Sequence, residues 1–267
     1  MKTLRELMDL GGRTALITGG AGHLGRAMGE ALAELGCAVA VLDLDQAACA
    51  RTANDLKARF GVETLPLPCD LADERATRSA PALAAQALGG LDILIHSAAF
   101  VGTSDLEGWV VPFPEQSAET WRRCMEVNLT SAFVLTQAAL PWLAARGRGS
   151  VVNLASIYGV AGPDLGLYQG TAMGNPAAYA ASKGGLIQLT RWLATVLAPK
   201  VRVNSITLGG IERGQPAAFQ ARYVARTPLK RMGVEEDIKG AAAYLASDLS
   251  AYLTGHNLVL DGGWTAW

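Results

Sequence analysis

Short apolar runs alternate with helix-period segments along this chain, and few folds accept that order. "TALITG" from Thr14 is an apolar run closed by glycines, and "LGRAMGEALAELG" from Leu24 places its apolar residues at helical spacing. "AVAVLDLD" then reads as a second buried strand, with a helix from about Gln46 to Phe60, and "ETLPLPCD" as a third, with an alanine-rich helix through the 70s and 80s. "LDILIHSAA", "GSVVNLAS", "VRVNSIT" and "HNLVLDGG" supply four more strand candidates. A long helix is expected over roughly Ser117 to Ala145, with Pro141 a place for a bend or an early stop, and another through "AAYAASKGGLIQLTRWLATVLA". The pattern predicts an α/β chain of Rossmann type: a doubly wound parallel sheet of about seven strands, covered by helices on both faces.

The 267 residues, half of them hydrophobic, suit one large domain, and no low-complexity linker divides them. Net charge is −1 with scattered basic residues, which argues against a nucleic-acid partner. Cys37, Cys49, Cys69 and Cys124 show no metal-ligand spacing and read as reduced cysteines of a cytoplasmic protein; no metal is expected. The first residues carry charges and glycines where a secretory signal needs an apolar core, and no apolar run is long enough to predict a membrane partner.

"TGGAGHLGRAMG" follows the first strand and opens the first helix, with Gly19, Gly22 and Gly25 three apart. Such a turn lets backbone approach a pyrophosphate, whose charge meets the free N–H groups of a helix start. A purely structural strand-to-helix turn uses the same residues, so the acid at the end of the second strand matters. Asp43, 24 residues after Gly19, can accept both ribose hydroxyls of an adenosine and repels a 2′-phosphate. Leu44 follows where an arginine would compensate, so NAD is expected rather than NADP. Asp45 lies beyond the strand end; Asp70 either bonds an adenine or caps the next helix.

Tyr179 and Lys183 are four apart on one helix face, and an ammonium beside a phenol favours the phenolate. A tyrosine so placed can take a hydroxyl proton as a hydride leaves the same carbon. An ordinary surface pair has the same spacing; convergence with Ser156 and Asn128 near the carboxyl ends of the strands is what favours chemistry.

Taken in order, "TGGAGHLG", "CDLAD", "HSAA", "MEVNLTSAF", "VVNLASIYG", "YAASK", "RVNSIT" and "YLTGHNLVLDGGW" resemble the short-chain dehydrogenase/reductase family of the classical, single-domain type, from about Gly12 to Gly263. The resemblance implies a nicotinamide cofactor and a homotetramer or homodimer. It implies Tyr179 as acid/base, and Lys183 as a ribose ligand that lowers the tyrosine's pKa. Ser156 would polarise the substrate oxygen, and Asn128 would hold a relay water. The cofactor contacts it implies are Gly19, Gly22, His23, Leu24, Gly25, Asp43, Asp70, Leu71, Ser97, Ala98, Tyr179, Lys183, Gly209 and Ile211. Trp264 and Trp267 fit either a subunit interface or the chain's own core.

Four departures from the family pattern stand out. His23 replaces a glycine; Ser97-Ala98-Ala99-Phe100 stands for the usual NNAG; Leu208 replaces a proline before Gly209 and Gly210, and the threonine that often follows has no counterpart. Ser156 also lies 23 positions before Tyr179, roughly ten more than the family usually has, and loops that long are often functional. The extra chain, around Asp164 to Asn175, is expected to wall the nicotinamide end. Tyr168, Gln169, Thr171 and Asn175 would offer hydrogen bonds, and Met173 and Leu167 apolar contact. Substrate loops are therefore expected at 101–118, 160–177 and 209–232. The loop and the "DGGWTAW" end resemble oxidoreductases associated with bacterial surface-sugar or flagellin-glycan modification, which implies a sugar-like alcohol or ketone as substrate. A redox-neutral NAD-dependent isomerase or dehydratase, and a non-catalytic NAD-binding redox sensor, are the alternatives.

Overall fold

The apolar runs become parallel strands in a computed structural model that describes residues 1–267. They are β1 (Thr14–Thr18), β2 (Ala38–Asp43), β3 (Thr64–Pro68), β4 (Ile93–His96), β5 (Gly149–Ser156), β6 (Val201–Leu208) and β7 (Asn257–Leu260). Their spatial order is β3-β2-β1-β4-β5-β6-β7, every neighbouring pair parallel. Central strands bury both faces, which is why their sequences run apolar without alternation.

Helices cover the two faces. A short α1 (Leu4–Met8) precedes the sheet. On one face α2 (His23–Glu34), α3 (Gln46–Phe60) and α9 (Glu235–Ala246) pack Met28, Leu32, Leu56 and Ile238 onto Ile17, Val39 and Val152. On the other, α4 (Glu74–Leu88), α6 (Ser131–Leu143) and α7 (Ala177–Leu197) pack Ala84, Leu135 and Leu193 onto Leu16, Leu94 and Val151. Local chemistry sets the ends. Asp45 caps α3 through the N–H groups of Ala47 and Ala48, Lys57 and Arg59 lie in its last turn, and Gly61 closes it in the left-handed conformation.

The long helix expected over Ser117 to Ala145 is divided. α5 (Ala118–Met125) passes through a π-helical turn, Glu126–Thr130, into α6, which runs past Pro141 to Leu143. The interruption therefore falls at Asn128 and not at the proline; single π turns of this kind are frequent at functional sites. Between β6 and β7 lies α8 (Ala217–Arg226), inside the segment expected to be a substrate loop.

The strand order reverses between β1 and β4. In open parallel sheets ligands bind outside the carboxyl ends of the strands at such a point.

Candidate active site

The bed for a dinucleotide is built from backbone. Gly19 has φ +63°, and a Cβ there would sit 2.9 Å from the Ala98 backbone; a Cβ on Gly25 would overlap the Gly19 carbonyl. Gly19 has no room because the chain beyond β4 lies against it, and Gly25 because the start of α2 packs on the turn after β1. Gly22 is the N-cap of α2, with no side-chain cap and no acid in the first turn, so the free N–H groups remain available to an anion. Thr18 Oγ1 accepts from the N–H groups of Ser97 (3.0 Å) and Ala98 (3.1 Å), tying β4 to the glycine turn.

Asp43 stands at the end of β2, with Oδ2 accepting from Ala21 N–H (3.1 Å) and Oδ1 from Leu44 N–H (2.8 Å). Its carboxylate thus borders the glycine turn, while Asp45 is spent on capping. Asp70 is exposed beyond β3 and accepts from Ala72 N–H (2.9 Å); the cap of α4 is Asp73, so the capping alternative for Asp70 does not hold. Leu71 is buried in the core and Leu24 is half-buried. The His23 side chain is exposed and turns outward to α9, with Nδ1 3.4 Å from Glu235 Oε1. A glycine cradle, an uncapped helix start and a carboxylate at the second strand together fit a nicotinamide dinucleotide.

The reacting groups gather at β5 and α7. Ser156 ends β5, buried, its Oγ accepting from Tyr158 N–H at 3.2 Å. Lys183 is 3% exposed; its Nζ donates to the Leu154 carbonyl (2.7 Å) and lies 5.7 Å from the centre of the Tyr179 ring. Burial pulls the lysine down to about 8. Burial likewise pushes Tyr179 up, opposed by a hydrogen bond with Ser156 and by the charge of Arg213. Lys183 rests its ammonium on a strand carbonyl, while Ser156 and the Arg213 charge pull against the burial of Tyr179.

The Asn128 side chain is held within the protein. Its Oδ1 accepts from Phe100 N–H (2.8 Å), and its Nδ2 donates to the Phe100 carbonyl (3.0 Å) and to Ser182 Oγ (3.2 Å). Ser182 Oγ in turn donates to the Tyr179 carbonyl (2.8 Å). The amide thus braces the strand end against the tyrosine. Beyond β6, the Gly209 N–H bonds the Leu260 carbonyl (3.0 Å). Ile211 buries its side chain, and its carbonyl accepts from Gln215 Nε2 (2.7 Å).

The long loop is docked. Asp164 opens a 3₁₀ turn, Leu165–Tyr168, and pairs with Arg226 of α8; Arg222 donates to the carbonyls of Leu167 and Gln169. Leu167 is buried with Ile157, Phe219, Tyr223, Met232 and Trp264, and Met173 packs on the same cluster. Trp264 therefore belongs to the chain's own core, whereas Trp267 is exposed. Thr171 donates to the Tyr168 carbonyl (2.8 Å), and Gln169 is exposed. Tyr168 and Asn175 remain as polar groups near Tyr179, joined by Tyr158, whose hydroxyl is 2.6 Å from that of Tyr168. The loop at 101–118 meets this wall where Gly102 and Val110 close on Gly174, and Gln116 Oε1 accepts from Ala177 N–H (3.1 Å) at the start of α7.

Tyr158 and Arg213 were not singled out from the sequence. Tyr158 follows Ser156 by two residues, a signal in plain sight; nothing in "IERGQP" announces that the Arg213 charge acts on the tyrosine.

A family model described as enoyl-(acyl carrier protein) reductase matches residues 19–265. The cis-4-hydroxycyclohexanecarboxylate dehydrogenase of Sinomonas cyclohexanicum is 33% identical over 261 residues, 95% of this chain and 97% of the relative. The chain belongs to the short-chain dehydrogenase/reductase family. Among solved structures, an NAD⁺-bound xylitol dehydrogenase matches with TM-score 0.82 and 28% identity, covering 95% of this chain and 99% of that one. An NADPH-dependent 3-quinuclidinone reductase from Rhodotorula rubra matches with TM-score 0.86 and 27% identity over 100% and 96% of the two chains. The enzyme is thus an oxidoreductase of alcohols and ketones built to take NAD or NADP. No helix in it is long and apolar enough to cross a membrane.

Proposed function

We propose that the enzyme uses NAD(H) to interconvert a secondary alcohol and a ketone on a sugar-like, polyhydroxylated substrate. The observation that carries this reading is the meeting of Ser156 and Tyr179 beneath a wall whose polar groups are Tyr158, Tyr168 and Asn175. The xylitol dehydrogenase likeness supports a polyol substrate. A bacterial surface-sugar or flagellin-glycan setting, a cytoplasmic location and a homotetramer or homodimer complete the proposal.

NAD is favoured because the Asp43 carboxylate would face any 2′-phosphate, and the neighbouring Leu44 brings no cation. When bound, the nicotinamide supplies the acceptor for a hydride. Ser156 holds the substrate hydroxyl, and Tyr179 takes its proton as carbon loses the hydride, so proton and electron pair leave together as H⁺ and H⁻. Arg213 favours the phenolate that accepts this proton, and Lys183 holds positive charge beneath the ring. In reduction the same tyrosine returns the proton to the forming alkoxide.

The test is formation of reduced nicotinamide, followed by absorbance with NAD and with NADP across sugars, sugar acids, polyols and simple secondary alcohols. Tyr179→Phe is expected to lower kcat/KM by roughly a thousandfold while leaving NAD binding intact; unchanged turnover would refute the assignment. Asp43→Asn is expected to shift the NAD-to-NADP preference toward NADP by about tenfold.

A further inference from the structure

Between Ser156 and Tyr179 the wall buries more polarity than the chain itself satisfies. Neither Oδ1 nor Nδ2 of Asn175 completes a well-formed hydrogen bond within the protein, although both atoms are shielded from solvent and the Tyr158 and Tyr168 hydroxyls lie within looser reach of the amide. Leaving a buried amide unmet costs on the order of 1–3 kcal/mol, so native chains rarely keep one without a use. Asn175 follows Gly174, where the two enlarged loops close on each other, and it stands beside the hydroxyls of Tyr158 and Tyr168. Those hydroxyls spend one O–H on their mutual 2.6 Å bond and keep the other. Their rings are held independently. Tyr158 lies edge-on to Trp264 at 6.4 Å, and Tyr168 sits 5.4 Å from Phe219. Tyr158 N–H also donates to Ser156 Oγ (3.2 Å), which places the cluster on the reacting side of the wall.

We infer that Asn175, with the paired hydroxyls of Tyr158 and Tyr168, is a specificity site for a second hydroxyl of the substrate, apart from the one at the reacting carbon. The donor and acceptor inventory selects that group. A hydroxyl accepts from Nδ2 or from the free tyrosine O–H and donates to Oδ1. A carboxylate or ketone can only accept and leaves Oδ1 unmet; a methylene meets neither atom. Sites built to bond a substrate hydroxyl discriminate strongly against analogues lacking it, because their own buried groups are then left unpaired. Burial keeps both tyrosines protonated, hence donors, across the neutral range.

This inference rests on the alcohol/ketone reading of the same site, so the experiment separates the two. The enzyme with NAD is assayed on vicinal cyclohexanediols and on cyclohexanol, for the wild type, Asn175→Leu and Tyr158→Phe. The expected result is a wild-type preference for diol in kcat/KM of at least about tenfold, reduced by about tenfold in Asn175→Leu and by less in Tyr158→Phe, which keeps the ring on Trp264. In parallel, Tyr179→Phe loaded with NADH is titrated calorimetrically with the same alcohols, with and without Asn175→Leu, to read recognition without chemistry. Tyr179-dependent turnover with equal use of diol and monoalcohol would overturn the inference and keep the proposed function. Asn175-dependent binding of diol over monoalcohol without turnover would uphold the inference and fail that function. A diol preference that survives both substitutions, or no difference in binding, would make the cluster internal packing and overturn it.

Discussion

The glycine turn after β1 and the long wall after β5 solve opposite problems with opposite materials. In the first, backbone meets backbone: a Cβ on Gly25 would overlap the Gly19 carbonyl, and Gly19 lies against Ala98. In the second, side chains from distant segments hold a loop to a helix, as Arg226 does with Asp164 and Arg222 with the Leu167 carbonyl. The cofactor shared across a family can be met by fixed backbone, whereas a variable substrate calls for side chains that can be exchanged.

Gly25→Ala probes the backbone side and should show the largest effect. The turn must shift to admit the methyl, and dinucleotide affinity is expected to fall by roughly a hundredfold, read by titrating NADH fluorescence. The matched change in the wall, Gly162→Ala, has nothing within 4 Å of the new carbon. It should leave stability within about 0.5 kcal/mol and kcat/KM within about twofold. Equal damage from the two would break the contrast.

Lys183→Met tests the seam between the regions. The native lysine is held at about 8 against an ordinary 10.5, so below 8 the folded state carries a buried ammonium at a cost. Between those values the unfolded chain binds a proton that the native state does not, and wild-type stability rises with pH. Removing the charge should stabilise the fold by about 1–2 kcal/mol at neutral pH, after allowing for the orphaned Leu154 carbonyl. That gain should shrink above pH 8 and become a net loss of about 1–2 kcal/mol past 10.5, where only the orphaned carbonyl counts. Urea unfolding at pH 7 and at pH 10 measures it, and a pH-independent gain would contradict the burial account.

Arg226→Leu should have a small effect, above only that of Gly162→Ala. Half-exposed ion pairs contribute little, so KM for the substrate is expected to rise roughly threefold, with hydrogen exchange quickening over 160–177 and NAD affinity unchanged. A matching loss of NAD affinity would show that wall and bed are not separate.

What could be read from the sequence follows the same division. The helix Gln46–Phe60 was legible because its cap, charges and terminal glycine are local. The bed was legible because close backbone contact leaves glycines at fixed spacing. The π turn at Asn128 was not, since one extra residue in a helical turn leaves the apolar rhythm nearly unchanged. Asp70 read as either an adenine contact or a cap, and only the path of the chain after β3 gives the cap to Asp73. Tyr158 escaped notice because its meaning comes from Tyr168, ten residues on, and from Asn175 beyond it. Of the loop residues proposed for recognition, Thr171 turned out to bind its own backbone.

The docking of the long loop on α8 has a consequence for anyone rebuilding this enzyme. Residues 160–177 are not a detachable flap: their carbonyls, their acid and their buried Leu167 all end on one helix some fifty residues later in the chain. Loop and helix form a single graftable cassette. Transplanted together with the Trp264 shelf beneath them, they would carry a binding preference onto a related scaffold, whereas the loop alone would arrive without its foundations.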